Sequence, residues 1–161
     1  MRAGYRRFTD MQDMPGLVAE LSAKTIVFDI EPLVAYWDSA PDALDRGMAL
    51  VLSEVTSIPG VQVVCFATNS ARRPAAVPDG AGVRVIYLAS ASKPLRTAPY
   101  RKFPRPGVVI GDQVLTDGLL ARRLGYTFLH YTPRLSGSPL GPRLLNRCGG
   151  LARPVLFPAD R

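Results

Sequence analysis

Three patterns in the chain predict an α/β fold built on about five parallel strands. Apolar runs without polar alternation recur at Thr25–Asp29, Val61–Ala67, Val83–Leu88, Gly107–Ile110 and Tyr126–Tyr131. Strands covered on both faces read this way, because neither side has to meet water. Helical periodicity and breakers alternate with these runs, and strands alternating with helices argue a parallel sheet. Finally, polar residues stand where the runs end: Asp29, Thr68 and Asp112. Open parallel sheets bind ligands beyond the carboxyl ends of their strands.

The elements follow in order. Asp13 to Ala23 reads as a short helix with Leu17, Val18 and Leu21 on one face. The segment ahead of it offers no apolar run, since Phe8 stands alone among polar neighbours. Pro41 is placed to open a second helix, with Ser39 ahead of it as a cap. Leu44, Met48, Leu52 and Val55 then recur at helical spacing, and Ile58-Pro59-Gly60 ends the helix. The link from Arg72 to Gly82 carries Pro74, Pro78, Gly80 and Gly82, so one helical turn is the most it is expected to form. Thr116 to Leu124 is predicted as a helix capped by Thr116, with Asp117 in the first turn, where a carboxylate suits the helix dipole. Pro133 to Pro142 reads as a loop leading into a basic segment at about 134–161. The 161 residues are expected to form one domain with its core at about 10–150; 47% apolar content suffices to fill it.

Composition narrows the function classes. No run of eighteen apolar residues exists, so a transmembrane helix is not expected. Arg2, Arg6 and Arg7 have no apolar segment behind them, which argues against a signal peptide and for a cytoplasmic location. Cys65 and Cys148, with the single His130, make neither a disulfide framework nor a zinc site. His130, Tyr126 and Tyr131 read as structural residues of the last strand. The net charge of +7 is uneven: residues 96–161 carry 11 Lys/Arg against 3 Asp/Glu. A phosphate-rich partner, nucleic acid or an anionic lipid surface, fits that charge. Drift toward Arg-, Ala-, Gly- and Pro-rich composition accounts for it equally well. Leu140, Leu144, Leu145, Leu151 and Leu156, interleaved with Arg143, Arg147 and Arg153, have the pattern of a basic amphipathic segment. The competing expectation is that these leucines pack against the sheet.

Each polar station has a chemical reading. A carboxylate such as Asp29 can attack phosphorus and form an aspartyl-phosphate. A hydroxyl at Thr68, with the backbone N–H groups around Asn69, can hold a phosphoryl oxygen. Lys93 can offset charge on nucleophile and phosphoryl group. Asp112 and Asp117, with Asp29, can hold Mg2+, which favours hard oxygen ligands. Singly, each of these residues is as readily a turn, a cap or a solvated side chain.

The ordered set Asp29-Ile30-Glu31-Pro32-Leu33-Val34, Thr68-Asn69-Ser70, Lys93-Pro94 and Gly111-Asp112-Gln113-Val114-Leu115-Thr116-Asp117 resembles the haloacid dehalogenase (HAD) superfamily. The resemblance is to subfamily IIIA, the YqeG-like and phosphatidylglycerophosphatase-like branch. That branch typically reads DxDNTL, SNN, KP and GDQxxTD. The last motif matches in full, and the likeness spans roughly residues 10 to 150.

The resemblance implies a HAD-like Rossmannoid three-layer fold. It implies Asp29 as nucleophile, and Glu31 in the place of the general acid and base, its backbone carbonyl a metal ligand. It further implies phosphate binding by Thr68 and Asn69, charge neutralisation by Lys93, and Mg2+ ligation by Asp112, with Asp117 supporting the metal or the lysine. The first motif departs from the pattern. Glu31 is one methylene longer than Asp, Pro32 lacks an N–H, and Leu33 replaces a Thr hydroxyl. The short stretches from Asp29 to Thr68 and from Thr68 to Lys93 leave no room for a cap domain, which suits a large substrate.

The function expected is Mg2+-dependent phosphomonoester hydrolysis through an aspartyl-phosphate. Its substrate would be a phosphatidylglycerophosphate-like lipid or another large phosphorylated molecule, with the protein cytoplasmic or peripheral to a membrane. The alternative is a catalytically impaired HAD module that binds phosphate or serves as a scaffold.

Overall fold

A computed structural model describes residues 3–36, 38–133 and 140–158, with the backbone alone at Pro41, Leu140, Pro142 and Arg143. Six strands, β1 (Tyr5–Phe8), β2 (Thr25–Asp29), β3 (Val63–Ala67), β4 (Arg84–Leu88), β5 (Gly107–Gly111) and β6 (Thr127–Tyr131), form one sheet. Its order is β1-β6-β5-β2-β3-β4 and every pairing is parallel. The expected five strands are all present, within a residue or two at their starts. The sixth, β1, is the strand that the polar N-terminus concealed, and through it the sheet begins ahead of residue 10. Tyr5-Arg6-Arg7-Phe8 lies at the sheet edge, where Arg6 and Arg7 remain exposed while Phe8 is buried.

Side chains alternate between the two faces of the central strands with period two, and both faces are buried. Ile26, Phe28, Val64, Phe66, Val108 and Ile110 face one side of the sheet. There they pack against Met14 and Val18 of α1 (Met14–Glu20) and Leu44, Met48, Leu52 and Val55 of α2 (Pro41–Val55). Val27, Val63, Cys65, Ala67 and Val109 face the other side. They meet Leu120, Ala121 and Leu124 of α3 (Leu119–Leu124), together with Tyr100, Phe103 and Phe157. Phe157 extends this core past residue 150. Two helical layers around one open parallel sheet make a Rossmann-like fold.

Four local expectations are corrected. Residue 40 rather than Ser39 caps α2, and the Ser39 hydroxyl donates to the Tyr36 carbonyl instead. Thr116 caps no helix. It lies inside a π-helical turn, Val114–Gly118, whose extra residue delays the start of α3 to Leu119. The first helix is also shorter than Asp13 to Ala23, because Met11–Asp13 forms a separate 3-10 turn ahead of α1. Lastly, the leucines of α4 (Leu140–Leu156) pack against the sheet only in part: Leu144, Leu145 and Leu151 are exposed, whereas half-buried Leu156 packs against the core. The stretch from Pro133 to Pro142 falls mostly outside the described residues, and its last three residues open α4.

Chain order fixes where a site can form. From β2 the chain steps outward to β3 and β4, then returns to the other side of β2 as β5 before reaching β6. The direction of winding therefore reverses between β2 and β5. At such a switch point the flanking loops diverge and leave a crevice at the carboxyl ends of the strands. Asp29 ends β2, and Asp112 follows β5.

Candidate active site

The crevice gathers the polar stations read from the sequence. Asp29, Asp112, Asp117, Lys93 and Thr68 are all buried at one edge of the sheet. Lys93 Nζ donates to Asp29 Oδ1 at 2.7 Å and to Asp117 Oδ1 at 2.7 Å, and so bridges two carboxylates. Asp29 Oδ1 also accepts from the Ile30 N–H at 2.9 Å. That oxygen accepts twice, whereas Oδ2 takes no hydrogen bond among the described residues.

Backbone hydrogen bonds between two loops place Lys93. The Ala91 N–H donates to the Thr68 carbonyl (2.8 Å) and the Ser90 N–H to the Ser70 carbonyl (2.7 Å), so the loop after β4 is tied to the loop after β3. Ser90 and Ser92 adopt left-handed φ values of 48° and 54°, which L residues favour little. The Asn69 side chain completes the clamp. Its Oδ1 accepts the Lys93 N–H at 2.7 Å, and its Nδ2 donates to the Lys93 carbonyl at 3.0 Å. The Asn69 side chain is therefore engaged with the lysine's main chain.

The π-helical turn sets Asp117. Both the Asp117 and Gly118 N–H groups donate to the Gln113 carbonyl, at 2.9 and 3.2 Å. Asp117 Oδ2 accepts from Thr116 Oγ1 at 3.3 Å, and its Oδ1 holds the lysine. Gly111 makes the approach feasible: a Cβ there would stand 2.6 Å from Asp117 Cβ.

Glu31 turns to the other side of the crevice. The Thr68 hydroxyl donates to Glu31 Oε2 at 2.7 Å, and Ser70 Oγ lies 3.5 Å from Oε1. The Ser70 N–H donates to Thr68 Oγ1 at 3.0 Å. The Glu31 carboxylate thus lies against the hydroxyl station, apart from the aspartate cluster. The two other departures in this segment serve packing: Pro32 is buried, and half-buried Leu33 packs against the core.

One carboxylate oxygen each of Asp29, Asp112 and Asp117 lies within 4.8 Å of the others. Three buried carboxylates against one ammonium leave an excess of negative charge. Burial, followed by repulsion from Asp117, pushes the Asp112 carboxyl up to about 7. Burial and Asp117 raise Asp29 as well, while Lys93 opposes them. For Lys93, burial acts to lower the ammonium's pKa, but attraction to Asp117 and Asp29 outweighs it and keeps the group charged. Asp112 Oδ1 is buried without a hydrogen-bond partner among the described residues. An orphaned oxygen beside two more carboxylates is a donor set that fits a hard divalent cation such as Mg2+. Cys65, beneath the site, has its thiol pushed up to about 12 by burial and offers no thiolate.

Two contributors carried no sequence signal for the site. Asn146, on α4, donates Nδ2 to Asp112 Oδ2 at 3.3 Å. His130 Nε2 lies 3.1 Å from the Asp112 carbonyl, and Nδ1 lies 2.7 Å from the Tyr5 hydroxyl. A carbonyl can only accept, so Nε2 carries the proton and the Tyr5 hydroxyl donates to Nδ1. His130 thereby braces the main chain of Asp112, a structural role as the sequence suggested. The described segments between Asp29 and Thr68 hold α2 and β3 and no inserted domain, so the crevice is uncapped by this part of the chain.

This chain is 30% identical over 125 residues to "Probable phosphatase YqeG" of Bacillus subtilis (strain 168), a match covering 74% of this chain and 70% of that protein. No family model matches the chain, and no solved structure matches it.

Proposed function

The chain belongs to the family of YqeG, a probable phosphatase of Bacillus subtilis, and from that premise we propose that it is a Mg2+-dependent phosphomonoester hydrolase of the haloacid dehalogenase type with Asp29 as nucleophile. The observation that carries this reading is the Lys93 bridge, 2.7 Å to Asp29 and 2.7 Å to Asp117, set beside Asp112 at the sheet's switch point.

In this reading Asp29 Oδ2 attacks phosphorus, the new bond forms to the carboxylate, and the ester P–O bond breaks. Glu31 gives its proton to the departing oxygen. It then takes a proton from the water that attacks phosphorus and releases inorganic phosphate from Asp29. Lys93 holds Asp29 in place and offsets charge on the phosphoryl oxygens. Thr68 donates to a phosphoryl oxygen, which requires its hydroxyl to leave Glu31. The Asn69 side chain positions Lys93, so a contact of this residue to phosphate runs through its backbone N–H. Asp29 and Asp112 would hold Mg2+ with the Glu31 carbonyl, whereas Asp117 serves mainly as the second anchor of Lys93. The cation would supply charge neutralisation for the phosphoryl group.

α4 supports a peripheral membrane location. Leu144, Leu151 and Val155 are 64%, 83% and 77% exposed at helical spacing, and the helix carries Arg147 and Arg153 with no acidic residue. Such a face suits an anionic lipid surface. A phosphatidylglycerophosphate-like substrate would be met there.

The test is a panel of phosphate monoesters assayed with Mg2+ and with a chelator, for wild type and Asp29→Asn. Mg2+-dependent release of phosphate by wild type, absent from Asp29→Asn, is expected. Undiminished hydrolysis by Asp29→Asn would overturn the assignment. Mg2+ binding without turnover of any ester would favour the phosphate-binding module.

A further inference from the structure

A cavity of about 830 Å³ opens beside Asp112, on the β6 side of the switch point. Its walls come from the ends of β1 and β6 and from one face of α4, and they include Arg7, Arg147 and Arg153. We infer that this cavity is a second anion subsite, which takes an acidic group carried on the same substrate molecule whose phosphomonoester lies at Asp29. The inference rests on the phosphomonoester reading of the crevice and adds the rest of the substrate to it.

Size is the first argument. The cavity falls within the ~300–1,000 Å³ typical of small-molecule sites, far more than a phosphoryl group alone needs. Asp112 lines it, and one carboxylate oxygen of Asp112 lies within 4.8 Å of one of Asp29, so the two groups of one substrate molecule would bind on either side of Asp112.

Charge is the second argument. Among the described residues, none of the three guanidiniums lies in an ion pair with a carboxylate. Two of them are oriented by neutral neighbours. Arg7 Nε donates to Thr132 Oγ1 at 2.9 Å, and the Arg153 guanidinium lies 5.8 Å from the centre of the Tyr5 ring. Arginines fixed in this way keep further N–H groups free for the bidentate recognition of carboxylate or phosphate.

The third argument comes from α4. Arg147, Gly150 and Arg153 recur every third residue along the wall. A Cβ at Gly150 would have no heavy atom within 4 Å. The gap between the two arginines is open space that a ligand can enter. Val114 and Leu144 supply apolar surface to a linker between the two acidic groups.

Non-hydrolysable α,ω-alkane bisphosphonates of increasing chain length, compared with alkyl monophosphonates of equal length, test this by calorimetric titration in Mg2+. At one chain length the bisphosphonate is expected to bind about 10-fold tighter or more, the worth of charge-assisted contacts made in one molecule. Arg147→Gln with Arg153→Gln should remove most of that advantage. So should Gly150→Leu, which fills the gap without touching a charge. An advantage at no chain length would overturn the subsite, as would one that survives both variants. Two monophosphonates bound per chain, with no gain from linking them, would also overturn it, because the cavity would then take a separate anion. Phosphatase activity stands or falls independently: hydrolysis of esters without a bisphosphonate advantage refutes only the subsite. The advantage without hydrolysis of any ester upholds the subsite and refutes the turnover reading.

Discussion

Asp112→Asn should stabilise the metal-free protein and abolish its response to Mg2+. Burial and repulsion from Asp117 move the Asp112 carboxyl from 3.8 up to about 7. Such an interval corresponds to roughly 4 kcal/mol against the ionised form, an upper bound once water and relaxation in the crevice are allowed for. The direction in pH follows from linkage. The folded protein holds this proton over a range where the unfolded chain has lost it, so the contribution is fully present below 3.8 and is lost as pH rises to about 7. Asparagine keeps an oxygen for the Asn146 amide and carries no charge. In metal-free buffer at pH 8 the variant should therefore exceed wild type by roughly 1–4 kcal/mol, and the gap should shrink as pH falls toward 4. Added Mg2+ should stabilise wild type by RT ln(1 + [Mg2+]/Kd), about 2.7 kcal/mol at a hundredfold excess over Kd, and the variant hardly at all. Thermal and denaturant unfolding over a Mg2+ series at several pH values reads each quantity. A variant less stable than wild type at pH 8 without metal, or one with an undiminished Mg2+ response, would refute the reasoning.

Other consequences are open to direct measurement. Glu31→Gln should lower Mg2+-dependent phosphatase activity by roughly 10²-fold, as the loss of a general acid–base does; restoring the shorter acid with Glu31→Asp, Pro32→Asn and Leu33→Thr should raise it, and steady-state kinetics compares the three. Gly111→Ala drives a methyl group into Asp117, so a loss of about 1–3 kcal/mol in chemical denaturation is expected, together with a fall in turnover as Lys93 shifts. Co-sedimentation should show binding to anionic vesicles over neutral ones, weakened by salt and by Leu151→Asp with Val155→Asp.

What was legible in the sequence follows from how far each signal acts along the chain. β2, β3 and β5 could be read because a parallel strand covered on both faces is a contiguous apolar run, and Asp29, Thr68 and Asp112 because each follows such a run. Burial at an edge strand is one-sided and short, so Arg6 and Arg7 hid β1. Thr116 and Asp117 looked like a helix start; the π-helical turn instead sets Asp117 against Lys93, a contact between distant segments. Asn146 reaches Asp112 only because α4 docks beside the π-helical turn, and no local pattern in α4 announces that. Nor does spacing reveal that Glu31, one methylene longer than aspartate, lies against Thr68. The chemistry-bearing residues were visible singly, while the pairings among them came from the fold.

The central claim is that Asp29 becomes phosphorylated, and acid-quenched mass spectrometry during turnover of a phosphomonoester tests it most directly. The account predicts one hydroxylamine-labile phosphoryl group on the peptide bearing Asp29. It should be more abundant in Glu31→Gln, where water attack is slowed, and missing from Asp29→Asn. A turning-over enzyme that carries its phosphoryl group on another residue, or a phosphoryl group that persists in Asp29→Asn, would contradict it.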